Sequence, residues 1–195
     1  ETVTVTLTDV NDNTPEFDDD DSDGSTATAA ASVAEGQTAV GTYDGTDADS
    51  GDTLTYTIRT AAQNAASVDH DLFSVVAGSG VLTFASAPNY ESLPCGAGNN
   101  ANGCKVVLRV SDGTNTDEIT ITVTITDVND QTPVYQAADA DDAFSVAENT
   151  ATSSVIDNGV ITDTDTGNSF GCTLGGADAA DFTCTISGNN AQLKF

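Results

Sequence analysis

Residues 6–15 read TLTDVNDNTP, and residues 124–133 read TITDVNDQTP. In both copies, aliphatic residues that alternate with threonines lead into a compact group of aspartates and asparagines, and a proline follows. Period-two alternation is typical of a β-strand with one buried and one wet face. Proline lacks the backbone N–H that a sheet requires, so it ends the pairing. We call residues 9–13 the first acidic motif and residues 127–131 the second, and both are predicted at the C-terminal ends of strands.

Other stretches recur in the same order, which indicates an internal repeat. SVAEG at residues 32–36 is echoed by SVAEN at 145–149, and GVLTF at 80–84 by AQLKF at 191–195. TDADSG, which begins at Thr46, returns as TDTDTG from Thr162. A chain of 195 residues can hold two repeats of about 110 residues, each with its own core.

We expect the chain to be a window cut from a longer protein, because it opens within a strand pattern. The predicted order is the last strand of a preceding repeat, a linker with an acidic loop, a complete repeat, a second linker and a truncated second repeat. These segments are expected at residues 1–10, 11–23, 24–126, 127–136 and 137–195.

Short apolar runs separated by turn residues predict strands between the two motifs. Long stretches with helical periodicity are hard to find. The fold class expected is all-β, with tandem seven-stranded Greek-key β-sandwiches and a truncated second repeat. Tyr56, Phe73 and Phe84 occupy alternating strand positions and are predicted core residues. The strands of the complete repeat are expected near residues 31–33, 39–43, 53–58, 72–76, 81–84, 105–110 and 118–126.

The charge balance is strongly acidic, with 31 Asp and Glu against 4 Lys and Arg and a formal net charge of −27. Nucleic acids and anionic membranes are poor partners for such a chain, because binding them requires a positive patch. The acidity fits cation binding, a salt-adapted surface or disorder, and the strand-like spacing of apolar residues disfavours disorder. No signal peptide or membrane-spanning run is visible, so no membrane insertion is expected from this segment.

The four cysteines form two close pairs along the chain, Cys95 with Cys104 and Cys172 with Cys184. Neither pair has the companion Cys or His of a zinc site. Of the three possible connectivities the local one is the simplest, and free thiols in a reducing cell are the alternative. The composition favours disulfides, and with them an extracellular or cell-surface location.

The second acidic motif gathers oxygen donors within one turn of chain. Asp127, Asn129 and Asp130 offer side-chain oxygens, and the carbonyls between them add more. Calcium prefers about six to eight such ligands in a forgiving geometry. A solvated Asx turn explains an isolated motif of this kind equally well.

Further acidic residues precede the second motif in a fixed order. Glu35 follows a strand in SVAEG, Asp47 and Asp49 alternate, Glu91 lies in PNYE, and Asp112 closes LRVSD. With TDVNDQTP, these elements resemble the cadherin repeat, whose pattern runs xEx, DxD, DxE, xD, DxNDNxP. The wording of AVGTYDGTDADSGDTLTYTI and LGGADAADF is more similar to the cadherin-type repeats of large bacterial surface or secreted proteins than to animal adhesion cadherins.

The resemblance implies calcium as the cofactor, held by residues on both sides of each linker. For the downstream linker it implies Glu35, Glu91, Asp127, Asp130 and the Val128 carbonyl on one side, and Asn129, the Gln131 carbonyl, Asp163, Asp165 and Asn168 on the other. For the upstream linker it implies Asp9, Asn11, Asp12 and Asn13 with Asp47, Asp49 and Asp112, and it assigns Glu148 to the next linker.

Two residues depart from the family pattern. Asn89 stands where DxE has its aspartate, and the loss of a carboxylate is expected to weaken the outermost ion. Gln131 replaces the last Asn of DxNDN. The resemblance assigns that position a backbone carbonyl ligand, so the change is expected to be mild.

The function expected is that of a structural and adhesive rod in an extracellular filament, stalk or adhesin, stiffened by calcium in its linkers. The expected partners are calcium, neighbouring repeats, and a further copy or a surface ligand on another cell. No catalytic role is expected, since no nucleophile is marked beside His70, the only histidine. The alternatives are a carbohydrate-binding or spacer module of a secreted enzyme, and a calcium-independent halophilic spacer.

Overall fold

The computed structural model describes residues 1–18, 27–92, 95, 103–136 and 144–195. The chain divides into two compact units, Glu1–Asp127 and Val128–Phe195. Among the described residues, strands are the main regular structure in both units and only two short 3-10 helices accompany them, so the all-β prediction is confirmed. Most of the predicted acidic loop and the start of the predicted second repeat lie outside the described residues.

The described residues of the first unit form strands β1 to β9 and one short 3-10 helix, His70–Leu72. The strands are β1 Glu16–Phe17, β2 Ala27–Ala34, β3 Ala39–Thr42, β4 Gly45–Thr46, β5 Thr55–Ile58, β6 Phe73–Val75, β7 Val81–Phe84, β8 Cys104–Ser111 and β9 Thr116–Thr126.

Two main sheets form the sandwich of the first unit. One has the order β2-β9-β8-β5 and the other the order β3-β7-β6, while β1 pairs with β4. Every pairing is antiparallel except that of β2 with β9, which is parallel and runs from Ala27 opposite Ile119 to Ala34 opposite Thr126. Because the two strands run the same way, the chain leaves both of them at the same edge of the sheet.

The core of the first unit follows the alternation visible in the sequence. Along β9, Ile119, Ile121 and Val123 are fully buried, and the threonines between them are only partly buried. Tyr56, Phe73 and Phe84 also belong to this core, as predicted. Burial of side chains of this size contributes about 1.5–3 kcal/mol each, which explains why this face fixes the strand register.

Residues 1–10 differ from the prediction, since no strand is assigned to them. Val3, Val5 and Leu7 are 80%, 79% and 92% exposed, although their alternation matches that of β9. A strand requires a neighbour that accepts its backbone hydrogen bonds, and none of the described residues pairs with this segment. Its assignment to a preceding repeat stays a prediction.

The second unit has one sheet, in the order β10-β11-β13-β12, and a 3-10 helix, Ala179–Asp181. An apolar cavity of about 610 Å³ opens on this unit, with Tyr135, Phe144 and Phe170 in its lining. Within the described part of the unit, no strand follows β13, whereas β7 of the first unit is followed by β8 and β9. The strands are β10 Val134–Gln136, β11 Val155–Thr162, β12 Thr183–Ser187 and β13 Asn190–Lys194.

Both disulfides have the local pairing expected from the sequence. Cys95 bonds to Cys104 with their Cα atoms 5.0 Å apart. Cys172 bonds to Cys184 across 6.2 Å. The first bond ties residue 95 to the start of β8, and the second ties the 171–175 segment to β12.

Glu118 of β9 contacts the chain's two arginines, Arg109 in β8 and Arg59, which directly follows β5. Its Oε1 accepts hydrogen bonds from Nε and Nη2 of Arg109 at 3.1 and 2.8 Å and lies 2.9 Å from Nε of Arg59. Its Oε2 accepts from Nδ2 of Asn64 at 2.8 Å. Burial acts to raise the pKa of Glu118, but the hydrogen bonds from Asn64 and Arg109 and the positive charges of Arg59 and Arg109 lower it overall.

We expect E118Q to lower the free energy of unfolding of the first unit at pH 7 by about 1–2 kcal/mol, because two guanidinium groups lose their countercharge. A carboxyl group with a lowered pKa in the folded state stabilises the protein above its unfolded pKa, and the benefit is lost as the pH falls through the folded value. The difference between E118Q and the wild type should therefore shrink as the pH falls below about 4.5. Urea unfolding at several pH values, in chelator at constant ionic strength, measures it.

The exposed Glu16 in β1 provides a matched control, and E16Q should leave stability unchanged within about 0.5 kcal/mol. An E118Q difference as large at pH 3 as at pH 7 would contradict the role given to the carboxylate charge.

Candidate metal centre

The first acidic motif lies against a turn that precedes β5. Asp49 is its most buried carboxylate, with 8% of the residue exposed. Within the turn, the backbone N–H of Asp49 donates to Oδ1 of Asp47 at 2.9 Å, an Asx turn that aims both side chains to one side. In the motif, the backbone N–H groups of Asp12 and Asn13 both donate to Oδ2 of Asp49, at 2.9 and 2.7 Å.

Asp49 is held as a charged carboxylate by these contacts. The backbone N–H and then the side-chain amide of Asn13 lower the pKa of Asp49, and they outweigh the effect of burial. Asp9 makes a similar link, because its carboxylate accepts the backbone N–H of Ser50 at 2.5 Å. The motif and the turn are therefore fixed to each other by hydrogen bonds between residues about forty positions apart.

Side-chain oxygens without a hydrogen-bond partner lie beside the first acidic motif and the turn. Among the described residues, the oxygens Asn11 Oδ1, Asp47 Oδ2, Asp52 Oδ2 and Asp112 Oδ2 are buried and accept no hydrogen bond. One carboxylate oxygen each of Asp47, Asp49 and Asp52 lies within 4.8 Å of the other two. Buried polar atoms in folded proteins are nearly always paired, so a cluster of unpaired oxygens requires an explanation.

Asp52 lies in a strongly negative environment. Burial raises the pKa of Asp52, the negative charges of Asp47, Asp49 and Asp112 raise it further, and a hydrogen bond from Asn11 opposes them. A divalent cation would remove the repulsion and provide a partner for the unpaired oxygens. The donors are all oxygens, from carboxylates and an amide, which suits a hard cation such as calcium.

A second turn connects this group to the end of β8. The backbone N–H groups of Thr114 and Asn115 both donate to Oδ1 of Asp112 at 2.6 Å, which leaves Oδ2 as the unpaired atom. Nδ2 of Asn115 donates to the backbone carbonyl of Asn13 at 2.6 Å. Three segments that are far apart in sequence thus meet at the first motif.

Asp52 is a member of this group that the sequence prediction missed. A signal for it was present, because the alignment of TDADSGDT with TDTDTGNS places Asp52 opposite Asn168, which was predicted as a ligand. An alignment of the two repeats that continued one residue past Gly51 and Gly167 would have identified Asp52.

A second carboxylate group lies at the other end of the first unit and contains Glu35, Glu91 and Asp127. One oxygen of each lies within 4.8 Å of the others. The parallel pairing of β2 with β9 explains the meeting of Glu35 and Asp127, since each residue directly follows one of the two strands. Glu35 is only 5% exposed, and its Oε2 accepts the backbone N–H of Tyr90 at 2.7 Å.

Asn89 takes part in the loop beside this group. Its Oδ1 accepts the backbone N–H of Ser92 at 2.8 Å, which caps the turn that presents Glu91. The structure therefore gives the amide oxygen a local role at the position where the family pattern has an aspartate.

The second unit repeats the arrangement around Asp49 with its own residues. Asp165 is 6% exposed, its backbone N–H donates to Oδ1 of Asp163 at 3.0 Å, and its Oδ2 accepts the backbone N–H of Gln131 at 2.9 Å. Nδ2 of Asn129 donates to Oδ1 of Asn168 at 2.9 Å. Oδ1 of Asp165 is buried and has no hydrogen-bond partner among the residues described.

The remaining predicted ligands are exposed. Asp130 and Val128 lie on the surface, and the carboxylate of Asp130 accepts Nε2 of Gln131 at 2.6 Å. Glu148 is also exposed, whereas its sequence counterpart Glu35 is buried and directly follows β2. The backbone after each glutamate is nevertheless the same, because Gly36 and Asn149 both have positive φ angles, of 73° and 64°. Asparagine is one of the few residues other than glycine that adopt this conformation readily.

Comparison with known proteins supports the fold. No protein-family model matches the chain, and no curated protein matches it either. Among solved structures, protocadherin gammaB7 EC3-6, described as a cis-dimer structure, has a TM-score of 0.65 at 19% identity and covers 93% of this chain and 39% of that chain. Human protocadherin-24 EC1-2 has a TM-score of 0.60 at 21% identity, with 92% and 76% covered.

Human CDH23 EC21-23 is also similar, with a TM-score of 0.54 at 23% identity over 84% of this chain and 52% of that chain. The chain therefore has the cadherin-like β-sandwich fold of cadherin extracellular domains. It spans about two fifths of the protocadherin gammaB7 fragment. No helix in the described part of the chain has the length and apolarity needed to cross a membrane.

We expect D52N to raise the melting temperature of the first unit in chelator, because the substitution removes one of four neighbouring charges that destabilise each other. The gain should be about a few degrees in a unit of this size. Thermal unfolding followed by circular dichroism measures it. D44N, at an exposed aspartate of the same unit, should change nothing, and a loss of stability in D52N would contradict the repulsion.

Proposed function

We propose that this chain is a calcium-dependent structural and adhesive segment of tandem cadherin-like repeats, part of an extracellular filament, stalk or adhesin. The observation that carries the proposal is the set of buried, unpaired oxygens of Asn11, Asp47, Asp52 and Asp112. A bound cation would satisfy these oxygens, and calcium accepts such a mixture of carboxylate and amide ligands.

The proposed mechanism depends on ligands that come from both sides of the second motif. The first unit ends at Asp127 and contributes Glu35, Glu91 and Asp127, while the second unit contributes Asn129, Asp163 and Asp165. Without calcium, like charges on either side repel and leave the junction free to bend. Binding energy that is gained only when both sets converge would hold consecutive repeats at one angle.

Two observations support an extracellular location. All four cysteines are in disulfides, which persist in oxidising compartments. Cadherin extracellular domains, whose fold this chain has, are themselves extracellular modules. Contact with another copy or with a ligand on another cell belongs to the proposed role.

Calcium titration is the direct test. We expect calcium to bind with measurable heat and to raise the melting temperature by several degrees at a concentration a hundredfold above the dissociation constant, which corresponds to about 2.7 kcal/mol. D47N should weaken binding at the first motif, and E91A and D130A should weaken binding at the second. The exposed-site variant D44N serves as the control, and a wild-type chain that binds no calcium would rule out the proposal.

The mechanical part of the proposal has its own measurement. Small-angle X-ray scattering should show a broad range of particle dimensions in chelator and a narrow range in calcium, because binding fixes the angle at residues 127–131. E91A combined with D130A should keep the broad range in calcium. If calcium binds and the distribution stays broad in the wild type, the ion stabilises individual repeats and does not stiffen the linker.

A further inference from the structure

The two acidic motifs differ at their last residue, which is Asn13 in the first and Gln131 in the second. The backbone contact of that residue is the same in both. The N–H of Asn13 donates to Oδ2 of Asp49 at 2.7 Å, and the N–H of Gln131 donates to Oδ2 of Asp165 at 2.9 Å. Both aspartates are more than nine-tenths buried. The two motifs therefore differ in the side chain of their last residue and not in its backbone contact.

The two side-chain amides differ in their contact with the buried aspartate. Nδ2 of Asn13 donates to Oδ1 of Asp49, so that both oxygens of this carboxylate are occupied. The same Nδ2 also lies 3.3 Å from Oδ1 of its neighbour Asp12. Nε2 of Gln131 donates to Oδ1 of its neighbour Asp130 at 2.6 Å and makes no hydrogen bond to Asp165. As a result, Oδ1 of Asp165 is buried and has no hydrogen-bond partner among the described residues.

A buried carboxylate oxygen without a donor is costly, and a bound cation relieves that cost in full. Where an amide already donates to the oxygen, the cation must compete with it. We propose that Gln131 determines the affinity of the second site, because it leaves Oδ1 of Asp165 open to a divalent cation, whereas Asn13 occupies the equivalent atom of Asp49. This inference rests on the proposed calcium function and goes beyond it.

The inference reverses the expectation that the change from Asn to Gln is mild. The second unit should be less stable without calcium than it would be with asparagine at residue 131. Its site should also bind calcium more tightly than the same site with asparagine. Glutamine at residue 131 thus lowers the stability of the calcium-free state and raises the affinity for calcium.

Two variants of the whole chain separate this role from a general disturbance. Q131N places a short amide that reaches Oδ1 of Asp165, as Asn13 reaches Asp49. Q131A has no amide and leaves Oδ1 of Asp165 open, as in the wild type. Calcium titration followed by NMR at the backbone amides of residues 131 and 165 measures the second site, and thermal unfolding in chelator measures the calcium-free state.

We expect Q131N to weaken calcium binding at the second site about five- to tenfold, the effect of one competing hydrogen bond. In chelator, Q131N should raise the melting temperature of the second unit, while Q131A should bind calcium within about twofold of the wild type. N13Q should show the reverse behaviour at the first motif, with tighter binding and a lower melting temperature in chelator.

Equal weakening in Q131N and Q131A would overturn the inference, since it would make the glutamine side chain a direct contributor to the site. Tighter binding in Q131N would overturn it as well. If the wild type shows no calcium response at either motif, the proposed function fails. In that case, the difference in melting temperature between Q131N and the wild type in chelator still tests whether the amide of residue 131 donates to Oδ1 of Asp165.

Discussion

The parallel pairing of β2 with β9 is the constraint on which the rest of the first unit depends. It places the ends of two strands that are about ninety residues apart at one edge of the sheet, where Glu35 and Asp127 follow directly. Each of the two strands buries one face in the hydrophobic core, and this fixes the register in which they pair. The strand register in turn sets the position of the two carboxylates. The core and the acidic site are therefore consequences of the same alignment.

Each acidic motif is a frame of backbone hydrogen bonds around a buried carboxylate. In each unit the motif's backbone N–H groups hold a buried aspartate, Asp49 in the first and Asp165 in the second. The hydrogen bonds from Asn13 lower the pKa of Asp49, and in both units other oxygens of the group are left without donors. In a chain with a formal charge of −27, the arrangement concentrates repulsion where an ion would relieve it.

The two repeats share this frame although their surroundings differ. Asp47 and Asp163 make the same Asx turn with the aspartate two residues later. Agreement between two independent copies indicates that the short sequence TDxDxG encodes the turn locally. The differences arise from single residues, such as glutamine in place of asparagine at the end of the second motif.

The sequence by itself determined the features that are local or periodic. Alternation predicted the strands and their buried faces, spacing predicted the two disulfides, and the order of acidic residues predicted a cadherin-like fold. These signals are readable because each depends on neighbours within a few residues or on a pattern repeated along one strand. Most of the predicted ligands do lie beside one another within their own unit.

Tertiary structure alone decided which oxygens lack partners and which elements form. The contacts of Asp49 with Asn13 and of Asn115 with the Asn13 carbonyl join residues 36 and 102 positions apart, and no local pattern specifies them. Residues 1–10 have the alternation of apolar residues and threonines that is typical of a strand. None of the described residues pairs with them, and no strand is assigned there. The contacts of the last motif residue are likewise visible only in three dimensions, since the Asn13 amide reaches Asp49 and the Gln131 amide donates to Asp130.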